Sequence, residues 1–393
     1  MHCTSPSCSS SRAAMLTGQS SHSSGMLGLA HRGWKFSHPE RHIVHTLRAN
    51  GYRTALAGLQ HVAIDARTIG YDEVLPHTSD HVPDVCPNAV AFLFRAASQD
   101  KPFFLDVGFF ETHREFPKPT DDPAFIQPPY PLPDTPETRQ DMAGYHASVR
   151  LFDDGVGQLL RALDQAGLAE NTLVIVTTDH GIAFPTMKAG LYDGGTGVGM
   201  IMRGPGVFSS PQAIDALLSQ IDLFPTLCDY IRVNKPTWLE GKSMLPVISK
   251  GSPGIRDAVF SELNFHSAYE PVRAVRTARY KYIRRFDKRK YPVVTNCDDG
   301  LTKRLWVRNG WQTLPLCADK HGEELYDLMF DPAERNNIAS RADMKAEMQS
   351  MRQRLGDWMR ETDDPLLRGP ILVPKGVRTD DPNAVNSTAV KAY

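Results

Sequence analysis

Apolar residues recur along this chain with two different periods. Seven of them fall three or four residues apart, which predicts an amphipathic helix that ends at Gly167: Met142, Tyr145, Val149, Phe152, Val156, Leu159 and Leu163. Residues 172–178 form a continuous, β-branched run instead, which is typical of a strand covered on both faces. Residues 102–109 have the same character.

The two patterns alternate along the chain. Residues 41–50 predict a helix that Gly51 ends, and residues 53–57 predict a short strand before a turn at Gly58. Such alternation is typical of an α/β protein, in which a mostly parallel sheet is flanked by helices. We therefore expect ligands to bind beyond the carboxyl ends of the strands.

Composition narrows the class of protein. The 393 residues are 41% hydrophobic and 23% charged, enough for a large core and two domains. A net charge of -1 argues against nucleic acid or a membrane surface as partner. We find no transmembrane run and no signal peptide, and the compartment stays unassigned. Six scattered cysteines, of which Cys297 and Cys317 could pair, indicate neither a disulfide framework nor a zinc site.

The segment from Cys8 to Gly18 carries the first candidate chemistry. Ser9 or Ser10 can cap a short helix that Gly18 ends, which places Cys8 beside free N–H donors and near Arg12. A phosphate or sulfate would be held by those donors and by the guanidinium. The alternative is an ordinary half-buried cysteine before a capped helix.

Three more candidate residues follow predicted strands. His61, His113 and Asp179 each come just after one, so strand polarity predicts that they share a cleft with Cys8. Taken singly, the histidines could be ordinary loop residues and Asp179 could cap a turn. Lys188 could likewise be a solvated cation, and Arg12 could pair with a carboxylate.

Residues 8–18 resemble the sulfatase signature Cys-x-Pro-Ser-Arg-x-x-x-Leu-Thr-Gly, with Ser10 in the place of proline. The resemblance implies that a formylglycine-generating enzyme converts Cys8 to formylglycine. It also implies one calcium ion, which Cys8, Asp179 and His180 would bind. Lys188 would bind the sulfate group of the substrate. The implied fold has a catalytic domain over residues 1–255, a C-terminal α+β subdomain with a small antiparallel sheet over residues 256–370, and a polar tail over residues 371–393.

Further segments extend this resemblance along the chain: residues 179–181, 204–206, 221–227, 324–327, 331–332 and 336–337. Residues 22–29, 181–185 and 358–365 are similar to the heparan N-sulfatase branch, which acts on glycosaminoglycans. In the C-terminal subdomain, residues 276–282 predict a strand, and we expect His266 near the substrate.

Two features depart from the family pattern. The family has lysine two residues before its first catalytic histidine, where this chain has Leu59 before His61. The family also carries an upstream strand that ends in an Asp-Asp pair of calcium ligands, and Met1 lies only seven residues before Cys8. We therefore expect a fragment or a misplaced start, a weak calcium site, and unpaired strand edges.

The implied reaction is hydrolysis of a sulfate ester or sulfamate on a sulfated saccharide such as N-sulfoglucosamine. Arg12 and Lys188 would stabilise the sulfuryl charge, His113 would protonate the leaving group, and His61 would act as base. Two alternatives stay open: a sulfatase-like pseudoenzyme that binds sulfated glycans, and a phosphatase or phosphodiesterase of the same superfamily. A homodimer is left open, and family relatives are secreted, periplasmic or lysosomal.

Overall fold

The computed structural model describes residues 1–314 and 322–388, so Cys317 lies outside the described residues. The helices are α1 (Cys8–Thr17), α2 (Ser21–Ser24), α3 (Ile43–Ala49), α4 (Val82–Ala97), α5 (Pro136–Gln165), α6 (Asp193–Thr196), α7 (Leu223–Tyr230), α8 (Leu245–Lys250), α9 (Leu301–Arg308) and α10 (Lys345–Glu361). The strands are β1 (Arg53–Gly58), β2 (Glu73–Val74), β3 (Phe103–Gly108), β4 (Val174–Thr177), β5 (Met200–Arg203), β6 (Val259–Phe265), β7 (Tyr269–Arg276), β8 (Tyr280–Arg285) and β9 (Glu323–Asp327).

A parallel sheet of order β2-β1-β3 forms one half of the N-terminal region. Its β1 strand is buried from Thr54 onwards. Helix α4 packs beside β1, and α5 packs on α4 in the same core, which contains Phe92 and Leu163. The apolar period that predicted a helix over residues 142–163 belongs to α5. The predicted α/β class is confirmed.

The other half is a pair, β4 and β5, which runs antiparallel. The sheet is thus less uniformly parallel than the sequence predicted. A parallel pair needs a long crossover, usually through a helix. The loop between β4 and β5 instead carries functional candidates and only the four-residue helix α6.

Two strand edges border one large cavity. Within residues 1–314 and 322–388, β3 pairs only with β1 and β4 pairs only with β5. Residues of both strands line the same cavity of about 1520 Å³, together with Leu159 and Leu163 of α5. The β-branched run of β4 is therefore only partly buried, although its sequence is typical of a strand covered on both faces.

The C-terminal region is an antiparallel sheet of order β6-β7-β8-β9, with α10 packed against β7 and β8. The predicted strand over residues 276–282 is wrong, because it spans the turn between two strands. The backbone N–H of Thr277 donates to the Tyr280 carbonyl at 2.8 Å, which reverses the chain there. In the described part of the chain, no helix is both long and apolar enough to cross a membrane.

Candidate active site

Cys8 is the first residue of α1, and Arg12 lies one turn further along. The predicted cap at Ser9 or Ser10 is wrong: Ser7 holds the N-cap position, and its side chain makes no capping bond. The hydroxyl of Ser9 instead accepts the backbone N–H of Ala30 at 2.9 Å. The left-handed stop at Gly18 is present, with φ of 69°. The thiol therefore lies at the N-terminal end of α1, as the sequence indicated.

Asp179 and His180 follow β4 and lie against α1. The Nε of Arg12 donates to Oδ2 of Asp179 at 2.9 Å, and the hydroxyl of Ser11 donates to the Asp179 carbonyl. The Nε2 atom of His180 is 3.2 Å from the Cys8 Sγ atom. Its Nδ1 lies 2.7 Å from the Gly181 carbonyl, which fixes the ring orientation.

Lys188 reaches the same cleft from the loop after β4. Its Nζ atom lies 2.7 Å from Oδ2 of Asp298 and 3.0 Å from Nε2 of His113. Only 3% of Lys188 is exposed, so this ammonium is not the solvated surface cation of the alternative interpretation. The Nδ1 atom of His113 is 2.6 Å from the carbonyl of Arg114.

His61 lies three residues beyond β1, with a positive φ of 53°. Its Nε2 atom is 2.7 Å from Nδ1 of His31, and the two rings stack with centroids 5.0 Å apart. Burial, and then the charge of His61, lower the pKa of His31 to about 4. His31 is thus a neutral partner for His61 near neutral pH.

The surrounding charges set the protonation of the thiol. Burial alone would raise the pKa of Cys8, but Lys188 and His180 outweigh it, and the pKa lies well below its usual range. For His180, burial lowers the pKa, while Asp179 and Cys8 raise it to about 9. The cleft therefore favours a negative charge at position 8.

All the residues predicted for the site line the cavity described above: Cys8, Arg12, His61, His113, Asp179, His180 and Lys188. The predicted convergence on one cleft is therefore observed, while the chemical role of each residue stays a prediction. His266, which the sequence placed near the substrate, lines the same cavity.

Sequence reasoning missed two residues of this cleft. Asp298 forms an ion pair with Lys188. Burial would raise the pKa of Asp298, but Lys188 and His113 lower it far below its usual range. His31 stands in a single 3₁₀ turn, Ala30–Arg32. Neither residue follows a strand or belongs to a periodic pattern, so only the packed structure reveals them.

Two family models match the chain. The model described as "Sulfatase" matches residues 1–233, and "N-sulphoglucosamine sulphohydrolase, C-terminal" matches residues 186–298. The human N-sulphoglucosamine sulphohydrolase is 28% identical over 421 residues, which cover 93% of this chain and 83% of that protein. A Δ4,5-hexuronate-2-O-sulfatase of Bacteroides thetaiotaomicron is 28% identical over 58% of this chain and 42% of its own length.

Solved structures share the fold. One, in complex with its substrate D-glucosamine-2-N,6-O-disulfate, has a TM-score of 0.70 at 17% identity and covers 94% of this chain and 90% of that one. A 2-O glycosaminoglycan sulfatase has a TM-score of 0.68 at 20% identity, over 98% and 90% of the two chains. Because the first family model spans more than half of the sequence and the fold agrees, this chain belongs to the sulfatase family.

Proposed function

We propose that this chain hydrolyses sulfate from a sulfated aminosugar, using a formylglycine formed from Cys8. One observation carries the proposal: the half-buried Arg12, the buried Lys188 and the imidazoles of His113 and His180 surround position 8. The substrate class is supported by the human relative and by the substrate of the solved structure. Water is consumed, and the S–N or S–O bond of the substrate breaks.

Position 8 suits such a modification. It opens α1, it is 5% exposed, and its side chain contacts His180. A hydrated formylglycine supplies two geminal hydroxyls, one to attack sulfur and one to release the sulfate afterwards. The serine at position 10, in place of the family's proline, is the feature of this chain that bears on conversion.

Each of the two cations forms an ion pair with a different carboxylate. Asp179 pairs with Arg12 in α1 at 2.9 Å, and Asp298 pairs with Lys188 at 2.7 Å. Neither cation has to reorganise when a sulfuryl group arrives between them. Preorganised charges of this kind stabilise a developing anion better than water does.

His113 and His61 would move the protons. Because Nδ1 of His113 lies against a carbonyl, its N–H donates there, and Nε2 is the nitrogen left for the substrate side. Nε2 is bonded to Lys188, so a proton delivered to the leaving amine or alcohol comes from this Lys188–His113 pair. His61, whose Nε2 lies 2.7 Å from Nδ1 of His31, would accept the proton of the second hydroxyl.

The described donors do not match calcium. Calcium takes six to eight oxygen ligands. In residues 1–314 and 322–388, the one group of three or more metal-ligand side chains gathered together is Cys8, Asp179 and His180. It contains one carboxylate, one imidazole and position 8. The calcium assignment stays a prediction.

A non-catalytic glycan-binding role is the second candidate. Leu59 stands where the family has a sulfate-binding lysine, and its carbonyl accepts the Arg12 guanidinium at 3.3 Å. The cleft thus has one cation fewer than the family pattern. A phosphatase with two metal ions is less favoured, because the described residues gather one such cluster.

The test is to express the chain together with the formylglycine-generating enzyme. Mass spectrometry of the peptide with Cys8 reports conversion, and sulfate release is measured on N-sulfated and 6-O-sulfated glucosamine, with Cys8→Ala as the control. We expect conversion and release by the wild type alone. Conversion without release, together with retained glycan binding, would favour the non-catalytic role. An unmodified thiol would refute the formylglycine mechanism.

A further inference from the structure

The cluster of Cys8, Asp179 and His180 differs in chemistry from the oxygen-rich site that the family pattern implies. One thiol, one imidazole and one carboxylate offer a ligand atom each, all within 4.8 Å of one another. Zinc binds four ligands and accepts sulfur, nitrogen and oxygen together, whereas calcium prefers oxygen alone. We propose that this chain, while Cys8 is still a thiol, binds a zinc ion through these three side chains.

The spacing of the donors already suits zinc. A tetrahedral ion with bonds of about 2.0–2.3 Å needs ligand atoms roughly 3.2–3.8 Å apart. The Sγ atom of Cys8 and Nε2 of His180 are 3.2 Å apart, and Nε2 is 3.7 Å from Oδ1 of Asp179. Small side-chain movements would complete the site.

Outer contacts orient two of the three ligands. Nδ1 of His180 donates to the Gly181 carbonyl at 2.7 Å, which directs Nε2 toward Cys8, where zinc would replace the proton on Nε2. Zinc-bound histidines usually donate their other ring N–H in this way. Arg12 holds Oδ2 of Asp179 at 2.9 Å, so that Oδ1 is the oxygen on the side of His180.

A second observation points to a ligand in the same place. His266 is 5% exposed and lines the same cavity as Cys8. Its Nδ1 atom is buried and has no hydrogen-bond partner among the described residues. A buried ring nitrogen without a partner is costly. Solvent that enters with the ion, as in zinc sites with three protein ligands, would satisfy it.

The nearby cations do not oppose the ion strongly. Lys188 is paired with Asp298 at 2.7 Å, and Arg12 is paired with Asp179 at 2.9 Å. Conversion of Cys8 to formylglycine removes the sulfur ligand. Zinc binding through sulfur and the proposed hydrolysis therefore belong to two different forms of the chain, and neither proposal depends on the other.

The experiment uses the full chain expressed without the modifying enzyme, with the thiol at position 8 verified by mass spectrometry. Cobalt(II) is the first probe, because a thiolate ligand gives a sulfur-to-cobalt charge-transfer absorption. Zinc is then titrated to displace cobalt, and calcium is tested in excess. We expect one equivalent of cobalt, displacement by zinc, and no displacement by calcium.

Two variants locate the site. Cys8→Ser should abolish the charge-transfer band, and His180→Ala should weaken zinc binding by more than the roughly 10–100-fold that losing an outer contact costs. Cys3→Ser is the matched control, since this buried thiol contacts the Gly195 carbonyl instead of the cluster. Circular dichroism and thermal melting verify that each variant is folded.

Three results would overturn the proposal. The first is zinc binding that persists in the folded Cys8→Ser and His180→Ala variants. The second is displacement of cobalt by calcium. The third is a wild-type chain, with its thiol intact, that binds neither cobalt nor zinc. Since no sulfated substrate is involved, none of these results bears on whether the converted chain hydrolyses sulfate.

Discussion

Replacing Lys188 by methionine separates the catalytic from the structural role of this side chain. The change keeps the aliphatic stem but leaves the Asp298 carboxylate without the ammonium that lies 2.7 Å away. Removing one partner of a buried ion pair costs about 3–5 kcal/mol of stability. Because 17% of the Asp298 side chain is exposed, solvent screens the charge, and we expect the lower end, about 3 kcal/mol.

The same substitution removes a cation from the proposed sulfuryl site. Loss of one preorganised group of this type lowers kcat by about 10²–10³. The double variant Lys188→Met with Asp298→Asn has no buried charge left to pair, so its stability should return toward that of the wild type. Its activity should stay low.

Urea unfolding of the converted proteins measures stability, and sulfate release from N-sulfated glucosamine measures kcat. In the double variant, the free energy of unfolding should recover while kcat stays low. If activity returns together with stability, Lys188 acts only through the fold, and its assignment to the sulfuryl group is wrong.

Three other perturbations follow from buried contacts. Arg273→Met removes a fully buried guanidinium that holds Asp364 at 2.6 and 2.9 Å, and urea unfolding should report a loss of about 3–5 kcal/mol. Burial would raise the pKa of Glu262, but His22 and Arg273 lower it to about 2, so stability from this carboxylate is present above pH 4.5 and is lost as the pH falls toward 2. Urea midpoints of Glu262→Gln should therefore fall less steeply over that range. Gly181→Ala would place its Cβ 1.9 Å from a backbone carbonyl, which should displace His180 and lower both zinc affinity and kcat.

Matched controls exist for two of these changes. Arg279→Met breaks an ion pair between an exposed guanidinium and Asp327 and should cost far less stability than Arg273→Met. Gly199→Ala meets no atom within 4 Å and should leave zinc affinity unchanged. Equal losses in the Arg273 and Arg279 variants, or in the two glycine variants, would contradict the reasoning. So would a Glu262→Gln profile as steep as that of the wild type.

The sequence was most informative where the apolar period was long. The stripe from Met142 to Leu163 identified α5, and the β-branched run located β4. The start of α1 could not be predicted from its serines, because several adjacent residues are equally good caps. Packing decides: the Ser9 hydroxyl is taken by the Ala30 N–H instead of by its own helix.

The cleft also contains some residues that the sequence pattern predicts and others that only tertiary packing reveals. Residues that follow strands, such as Asp179 and His113, were predictable because strand ends meet at one edge of a sheet. Asp298 and His31 arrive from turns far away in sequence, and only tertiary contacts bring them to Lys188 and His61. Residues of this kind support the site's chemistry and leave no local pattern.

The fixed charges of the cleft make metal and anion binding interdependent. Arg12 and Lys188 are each balanced by a carboxylate, Asp179 and Asp298, so these four groups sum to zero. A divalent cation beside Cys8 makes the sum positive, whether position 8 is neutral or a thiolate. A sulfated disaccharide should therefore bind more tightly when zinc is present, and zinc should gain the same factor from the disaccharide. Calorimetry with each ligand, in the absence and presence of the other, measures both factors. Equal disaccharide affinity with and without zinc, at low salt, would show that the paired cations alone hold the sulfate.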